Sequence, residues 1–121
     1  MKLGRKITGG KYHQLRKKKK YSSKGIARKV KLSETKQKKL RVTGGNEKIV
    51  LLTSNIVNVF NPETKKSKKV NIKNVLETPS NRFLARQNIL VKSAIIDTEL
   101  GKAKITNRPS QEGHVQAVLI K

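Results

Sequence analysis

The hydrophobic residues are distributed unevenly and divide the chain near residue 40. Before that point they are mostly single, widely spaced side chains, such as Leu3, Ile7, Leu15 and Val30. So few apolar side chains cannot bury enough surface to offset the entropy of ordering the backbone. After that point they gather into short clusters at 49–52, 89–91 and 117–120. The pattern predicts an arm over residues 1–40, disordered when free, and a folded domain over residues 41–121.

Runs rich in Val, Ile and Thr, separated by Gly, Pro and Asn, predict consecutive short strands in the domain. The first hairpin joins residues 38–43 to residues 47–53 through the turn at 44–46, where glycines adopt positive φ easily. The second joins residues 56–60 to 68–76 through a turn that contains Pro62. Further strands are expected at 89–96, 102–106 and 115–120, and one helical turn at 81–86.

The strand expected at 102–106 has the period of a half-buried strand. Ala103 and Ile105 share one face and the polar residues share the other, since successive side chains of a strand point to opposite faces. Short strands in so small a domain must hide their edges, and a closed sheet does so with the least exposed surface. We therefore expect an all-β fold, a small antiparallel β-barrel of about six strands with a long basic, irregular N-terminal extension. A β-sandwich is the alternative.

Charge is also distributed unevenly. Of the 30 Lys and Arg residues, seventeen lie in residues 1–45, where Glu34 is the only acidic residue, and the chain carries a formal net charge of +23. Such self-repulsion does not stabilise a fold, whereas a polyanion neutralised by it releases counterions and is bound tightly. Nucleic acid is therefore the expected partner. Lys outnumbers Arg by 23 to 7, and Lys suits phosphate more than base reading, so we expect the arm to position the protein.

The densest charge is the run from Arg16 to Lys20, followed by Tyr21. By itself such a run is typical of a solvated segment without a ligand. This one lies in a longer basic stretch with interleaved rings on which bases can stack. The nucleic-acid contacts predicted from that stretch are Arg5, Lys6, Lys11, Tyr12, His13, Arg16, Lys17, Lys18, Lys19, Lys20, Lys24, Arg28, Lys29 and Lys31. Gly9 and Gly10 would let the backbone approach a nucleic-acid strand closely, and a flexible hinge is an equal alternative.

The sequence has no recognisable catalytic or metal-binding constellation. It contains no Cys, and its histidines, His13 and His114, lack carboxylates at ligand spacing, so a zinc site would lack ligands. The Thr-Gly-Gly-Lys segment at 8–11 lacks the spacing of a nucleotide-hydrolysing phosphate loop. Asp97 and Glu99 could act as acid and base, but such a pair beside a turn is more often solvated. We expect no enzyme activity, metal or cofactor.

Membrane association is not indicated either. No apolar run approaches the length of a membrane span, and the N-terminus lacks the apolar region of a signal peptide. The lysine run could touch anionic lipid, but no amphipathic helix or lipidation signal accompanies it. We expect a soluble, intracellular protein without a membrane partner or a small-molecule substrate.

Four segments together resemble one known family, although each alone is weakly specific. They are Arg5-Lys6-Ile7-Thr8-Gly9-Gly10-Lys11 with the run to Lys20-Tyr21, Arg41-Val42-Thr43-Gly44-Gly45-Asn46-Glu47-Lys48, Ile96-Asp97-Thr98-Glu99-Leu100-Gly101, and Arg108-Pro109-Ser110-Gln111-Glu112-Gly113. In this order and spacing they resemble ribosomal protein S8e, the eukaryotic and archaeal-type eighth protein of the small ribosomal subunit. The chain lacks the long insertion of eukaryotic members and is similar to the short archaeal form.

The resemblance implies a structural protein of the small ribosomal subunit, located in the cytoplasm. Its basic extension would thread into ribosomal RNA while a β-barrel sits on the RNA surface, beside neighbouring small-subunit ribosomal proteins. Carried over by position, the implied RNA contacts are Arg5, Lys6, Gly9, Gly10, Lys11, the run from Arg16 to Lys20, Arg41, Gly44, Gly45, Asn46, Lys48 and, in the last segment, Arg108.

Two other functions stay open from the residues alone. A DNA-compacting protein of the nucleoid or chromatin would use the same cations on duplex phosphates. A small RNA-modifying or RNA-cleaving enzyme would have to rely on Asp97, Glu99 and the two histidines. Competition between folded ribosomal RNA and duplex DNA separates the first of these from a ribosomal role.

Overall fold

The computed structural model describes residues 4–13, 16–23 and 25–120, so the predicted contact Lys24 lies outside the described residues. The strands are β1 (Val30–Lys31), β2 (Lys36–Arg41), β3 (Glu47–Thr53), β4 (Ile56–Asn61), β5 (Lys66–Glu77), β6 (Ile89–Leu90), β7 (Ile95–Thr98), β8 (Gly101–Ile105) and β9 (Gln116–Leu119). A short helix, α1 (Arg82–Arg86), lies between β5 and β6. The predicted all-β fold is confirmed.

β4, β5, β7, β8 and β9 form a closed barrel in this order. The predicted barrel is confirmed, with five strands where about six were expected. Consecutive strands pair antiparallel, but β9 lies parallel to β4, with Ala117 opposite Val59. Topology requires this pair to be parallel, because five strands that reverse direction at every step leave the first and the last pointing the same way.

Local turn chemistry forms the predicted second hairpin and the helical turn. β4 and β5 pair as far as Asn61, opposite Lys66. The Asn61 side-chain oxygen accepts the N–H of Glu63 at 2.9 Å, which stabilises the turn at its first residue. The predicted helical turn is α1, where the side chain of Asn81 accepts the N–H of Phe83 and so caps the helix.

The other four strands form a second, open sheet. The barrel and this sheet share one hydrophobic core. Ala103 and Ile105 of β8 are fully buried and Lys104 between them is exposed, so the alternation predicted for this strand is confirmed. Val30 and Leu51 of the second sheet pack in the same cluster as the barrel residues. The cluster comprises Val30, Leu51, Val57, Val59, Ile72, Val75, Leu90, Ala94, Ile96, Ala103, Ile105, Val115 and Ala117. Its small members suit the narrow interior of a five-stranded barrel.

The prediction of one continuous strand over residues 89–96 is wrong, because the structure divides this run into β6 and β7. Ser93 has a φ of 68°, and the N–H of Ala94 donates to the carbonyl of Val91 at 3.2 Å, so the chain turns there. β6 pairs with β1 in the open sheet, whereas β7 pairs with β5 and β8 in the barrel. The hydrophobic run does not reveal the division because both strands face the same core.

The first predicted hairpin belongs to an open sheet with the order β2-β3-β1-β6. β2 and β3 pair antiparallel as far as Arg41, opposite Glu47. β1 lies parallel to β3 and places Val30 in the core. This sheet therefore includes segments upstream of residue 41. The division of the chain into an arm that is disordered when free and an independently folding domain stays a prediction.

The loop before β9 lies against the open sheet. The side-chain amide of Gln37 donates to the Gly113 carbonyl at 2.7 Å, and the N–H of Leu51 donates to the Glu112 carbonyl at 3.1 Å. A Cβ at Gly113 would lie 2.9 Å from Cγ2 and 3.3 Å from Cβ of Ile49. Glycine is required here because the loop backbone contacts the Ile49 side chain directly.

We expect Gly113→Ala to reduce the free energy of unfolding by about 1–3 kcal/mol, because the added methyl group forces the loop or β3 to move. Chemical denaturation measures the change. The matched control is Gly25→Ala, where an added Cβ meets nothing within 4 Å and the change should stay within about 0.5 kcal/mol. In the Gly113→Ala background, Ile49→Ala should recover part of the loss. Equal stability of the two glycine variants would contradict this packing.

Candidate nucleic-acid interface

The first described residues form a tight turn that carries predicted contacts. Arg5 and Lys11 pair in an antiparallel bridge, and the N–H of Lys6 donates to the carbonyl of Gly10 at 2.9 Å. Gly9 has a φ of 79°, which is costly for residues with a side chain. The Arg5 guanidinium donates to the Gly9 carbonyl at 3.1 Å. The turn thus holds the Arg5 guanidinium next to the backbone of Gly9, which has no side chain to block a nucleic-acid strand.

An aromatic ring lies beside this turn. The Lys6 ammonium is 5.7 Å from the centroid of the Tyr12 ring, within the range of a cation–π contact. Tyr12 is 52% exposed, and His13 next to it is exposed as well. Both rings therefore keep a face on which an unpaired base can stack.

The basic run folds back on itself around one turn of 3-10 helix, Lys20–Ser22. The hydroxyls of Ser22 and Ser23 donate to the Lys19 carbonyl at 2.9 and 3.3 Å. The Arg16 guanidinium donates to the Tyr21 hydroxyl at 3.0 Å. The run encloses a surface pocket of about 210 Å³ lined by Arg16, Lys17, Lys18, Lys19, Tyr21 and Ser22. A concave cluster of like charges concentrates the positive potential, which favours a phosphate.

Arg28 connects the segment before β1 to the loop that contains Arg108. Its guanidinium donates to the Ser110 carbonyl at 2.7 Å, across 82 residues of sequence. Lys29 and Lys31 on either side of Val30 are exposed. The structure therefore brings together two regions that the sequence analysis predicted separately as contacts.

Three predicted contacts, Gly44, Gly45 and Asn46, lie at the exposed turn between β2 and β3. Both glycines have positive φ, 77° and 74°. The N–H of Val42 donates to the Asn46 carbonyl at 2.8 Å and closes the turn. Arg41 before the turn and Lys48 after it are exposed, so the hairpin end presents cations on both strands.

Asn107, which the sequence analysis did not single out, organises the loop of Arg108. Its side-chain amide donates to the Glu112 carboxylate at 2.7 Å and to the His114 carbonyl at 2.8 Å. Its side-chain oxygen accepts the N–H of Gln116 at 3.0 Å. Arg108 is exposed beside it. The sequence signal was an Asn between a predicted strand and a proline-containing loop, a position where Asn commonly stabilises turns.

The carboxylates considered for catalysis lie on β7 and in the turn that follows it. Asp97 lies directly opposite a lysine of β8, and Glu99 accepts a hydrogen bond from the Asn71 amide at 3.1 Å. His114 lies 3.8 Å from the Glu112 carboxylate. Across residues 4–13, 16–23 and 25–120, no three or more His, Cys, Asp or Glu side chains gather into a metal site. Within the same ranges, no helix has the length and apolar character needed to cross a membrane.

The sequence matches one family along almost its whole length. The sequence model of ribosomal protein S8e matches residues 1–120. The chain belongs to the ribosomal protein S8e family. The resemblance carried by four short segments is therefore confirmed, and the match extends over residues 1–120.

Archaeal relatives cover nearly all of this S8e chain. The small ribosomal subunit protein eS8 of Methanococcus aeolicus is 49% identical over 117 residues, which are 96% of this chain and 91% of the relative. The protein of the same name from Sulfolobus acidocaldarius is 47% identical over 118 residues, 97% of this chain and 92% of the relative. That from Nanoarchaeum equitans is 47% identical over 116 residues, 96% and 91% of the two chains. The expected similarity to archaeal members is confirmed.

All the predicted S8e contacts that the structure describes are exposed. They occupy the N-terminal turn, the basic run, the segment around β1 with the neighbouring Arg108 loop, and the β2–β3 turn.

The sequence analysis did not count the lysines of β2 among the predicted contacts, although Lys36, Lys38 and Lys39 are exposed too. β2 is an edge strand, where lysines also prevent pairing with other chains. Lys39 in addition pairs with Glu47 at 3.4 Å. Contact of each residue with nucleic acid stays a prediction.

We expect Asn107→Ala to loosen the Arg108 loop of this S8e chain, because three hydrogen bonds of one side chain are lost. The free energy of local opening at the Gln116 amide should fall by about 1–3 kcal/mol. Hydrogen exchange of that amide measures the change. Gln87→Ala, at an exposed position directly after α1, is the control and should leave the exchange unchanged. Unaltered exchange in Asn107→Ala would show that the loop is held by other contacts.

Proposed function

We propose that this S8e chain is a structural constituent of the small ribosomal subunit that binds ribosomal RNA through its Lys-rich N-terminal arm and the barrel surface. The observation that carries the proposal is family membership together with seventeen cations against one carboxylate in residues 1–45. Relatives named as small-subunit proteins support the choice of subunit. On this proposal the protein acts in translation in the cytoplasm, beside other small-subunit proteins, and is not an enzyme.

The charge of the arm suits surroundings rich in phosphate. No carboxylate precedes Glu34 in the sequence, and every described cation of that segment is exposed. Each phosphate that a cation neutralises releases condensed counterions and so favours binding. Because most of these cations are lysines, they act as point charges that hold the backbone of an RNA without reading its sequence.

The exposed apolar side chains of the arm support ordering on contact with RNA. Ile7 and Ile26 are 108% and 102% exposed, and Tyr21 is 80% exposed. While they are exposed to water, these apolar side chains do not contribute to stability. Unstacked bases and sugars of a folded RNA can cover them, and burial of the apolar surface then favours binding. The turn at Gly9 and the folded basic run then act as short preformed elements within an arm that gains the rest of its order on binding.

The folded body supports a defined exit for the arm. Val30 is 1% exposed and packs in the core, and Arg28 bonds to Ser110. These two contacts hold residues 28 and 30 on the folded body. The part of the arm before residue 28 therefore leaves the body at a fixed point beside the Arg108 loop. A tethered cationic arm loses less entropy on binding than a free one.

The lysine run should contribute to RNA affinity in proportion to the phosphates it neutralises. We expect replacement of Lys17, Lys18, Lys19 and Lys20 by Gln to reduce the slope of log K against log salt by about three, at roughly 0.7–0.9 per phosphate. Filter binding to folded small-subunit RNA over a salt series measures the slope. The matched control replaces Lys65, Lys66, Lys68 and Lys69 by Gln, which removes the same charge from exposed positions of the β4–β5 hairpin. Equal losses in both variants would argue against a special role of the arm.

Competition at matched salt separates the ribosomal role from DNA compaction. We expect folded ribosomal RNA to displace duplex DNA from the full chain, since the exposed rings of the arm can stack only on unpaired bases. Equal competition by both polymers at the same phosphate concentration would favour the DNA-compacting alternative, because duplex contacts of that kind depend on backbone charge alone.

A further inference from the structure

A pocket of about 580 Å³ lies between the end of β5 and α1. Its volume falls within the range of about 300–1,000 Å³ that is typical of small-ligand sites. None of the predicted nucleic-acid contacts that the structure describes lines it. The residues that give it chemical character are Asn74, Glu77, Thr78, Arg82, Arg86 and Asn88.

The two asparagines of this pocket are oriented with their donors free. The N–H of Val75 donates to the side-chain oxygens of Asn74 at 2.9 Å and Asn88 at 3.4 Å. Register shifts on both sides of Val75 interrupt the ladder between β5 and β7 there. Since only the oxygen of an amide can accept this bond, both side chains face the Val75 N–H with their oxygen and not with their NH₂ group. Their NH₂ groups have no hydrogen-bond partner within the described part of the chain.

The remaining polar groups are also mostly donors. Arg82 and Arg86 are separated by one helical turn and so project from the same side of α1, and neither has a carboxylate partner among the described residues. Thr78 is 1% exposed, and its hydroxyl has no hydrogen-bond partner in the same ranges. Glu77 contributes the one carboxylate among the described lining residues. Among the described residues, two guanidinium groups, two amide NH₂ groups and one buried hydroxyl that line this pocket therefore have no protein acceptor.

We propose that this pocket binds a phosphate group. Guanidinium groups form paired, charge-assisted hydrogen bonds with phosphate oxygens, and the asparagine amides that line the same pocket add further donors. Thr78 lines the same pocket, and its hydroxyl, which has no partner among the described residues, is a further donor for the ligand. The phosphate comes either from an RNA backbone, which rests on the proposed function, or from a free anion such as inorganic phosphate.

Titration of the full-length chain with inorganic phosphate, at constant ionic strength in chloride, tests the site itself. We expect the NMR signals of the Asn74 and Asn88 NH₂ groups and of the Arg82 and Arg86 Nε–H groups to shift saturably. Arg82→Gln/Arg86→Gln should weaken binding by about tenfold or more, because charged hydrogen bonds are lost. The matched control, Lys102→Gln/Lys104→Gln, removes the same charge from exposed positions of β8 and should bind as the parent does. Shifts that do not saturate, or that are equal in both double variants, would overturn the proposal.

Thr78→Val gives a second, independent readout. The substitution keeps the shape of the side chain and removes only a hydroxyl that has no partner. We expect the melting temperature without phosphate to stay equal or rise, and the affinity for phosphate to fall. Unchanged affinity would remove Thr78 from the site, and a lowered melting temperature would show that the hydroxyl is already bonded in the free protein.

Binding of a folded small-subunit RNA by the same variants identifies the source of the phosphate. If RNA is the source, Arg82→Gln/Arg86→Gln should lower the salt slope by about 0.7–0.9 more than the lysine control does. Saturable binding of inorganic phosphate with equal RNA binding in both variants would assign the site to a free anion. Strong, salt-dependent RNA binding by the parent without saturable phosphate binding would overturn this site and leave the proposed function intact.

Discussion

The parallel pairing of β4 with β9 is the interaction on which the rest of the structure depends. It closes the barrel, so that every barrel strand has two neighbours and no edge remains. The connection from β8 to β9 is not a tight turn, because the chain passes along the open sheet before it enters β9. The loop at 107–114 makes that passage, and its bonds to Gln37, Leu51 and Arg28 follow from it. The loop that leads into the closing strand therefore also contacts the open sheet and the segment before β1.

Charge is concentrated where the chain has few apolar residues to bury. The segment before β1 has no carboxylate, and its described residues are all exposed up to Val30. Within the body, lysines lie on the outer face of strands such as β8, whose inner face holds Ala103 and Ile105. The cations of the arm and those of α1 differ in kind. The arm carries mainly lysines, whereas the cations of α1 are two arginines that line a pocket together with two asparagine amides, so the two surfaces suit different modes of phosphate contact.

Much of the fold was predictable because it rests on neighbouring residues. The alternation in β8, the turn of Asn61 before Pro62 and the cap of α1 each depend on a few consecutive positions. The glycine-containing turns and the exposed cations of the candidate interface were likewise visible in the sequence. Asn107 was not identified, because its partners Glu112, His114 and Gln116 come together only when the loop folds. The donors around Val75 were missed for the same reason, since Asn74 and Asn88 come together only at the N–H of Val75.

The sequence by itself determined the strand-forming segments, their inward faces, the turns and the separation of charge from core, because side-chain alternation and turn preferences act over a few bonds. Only the tertiary structure decided which strands pair. It divided the run at 89–96 between two sheets, placed Val30 in the core and made β9 parallel to β4. These choices depend on closing a five-stranded barrel over one shared core. Closure is a condition on distant segments together, so no local pattern records it.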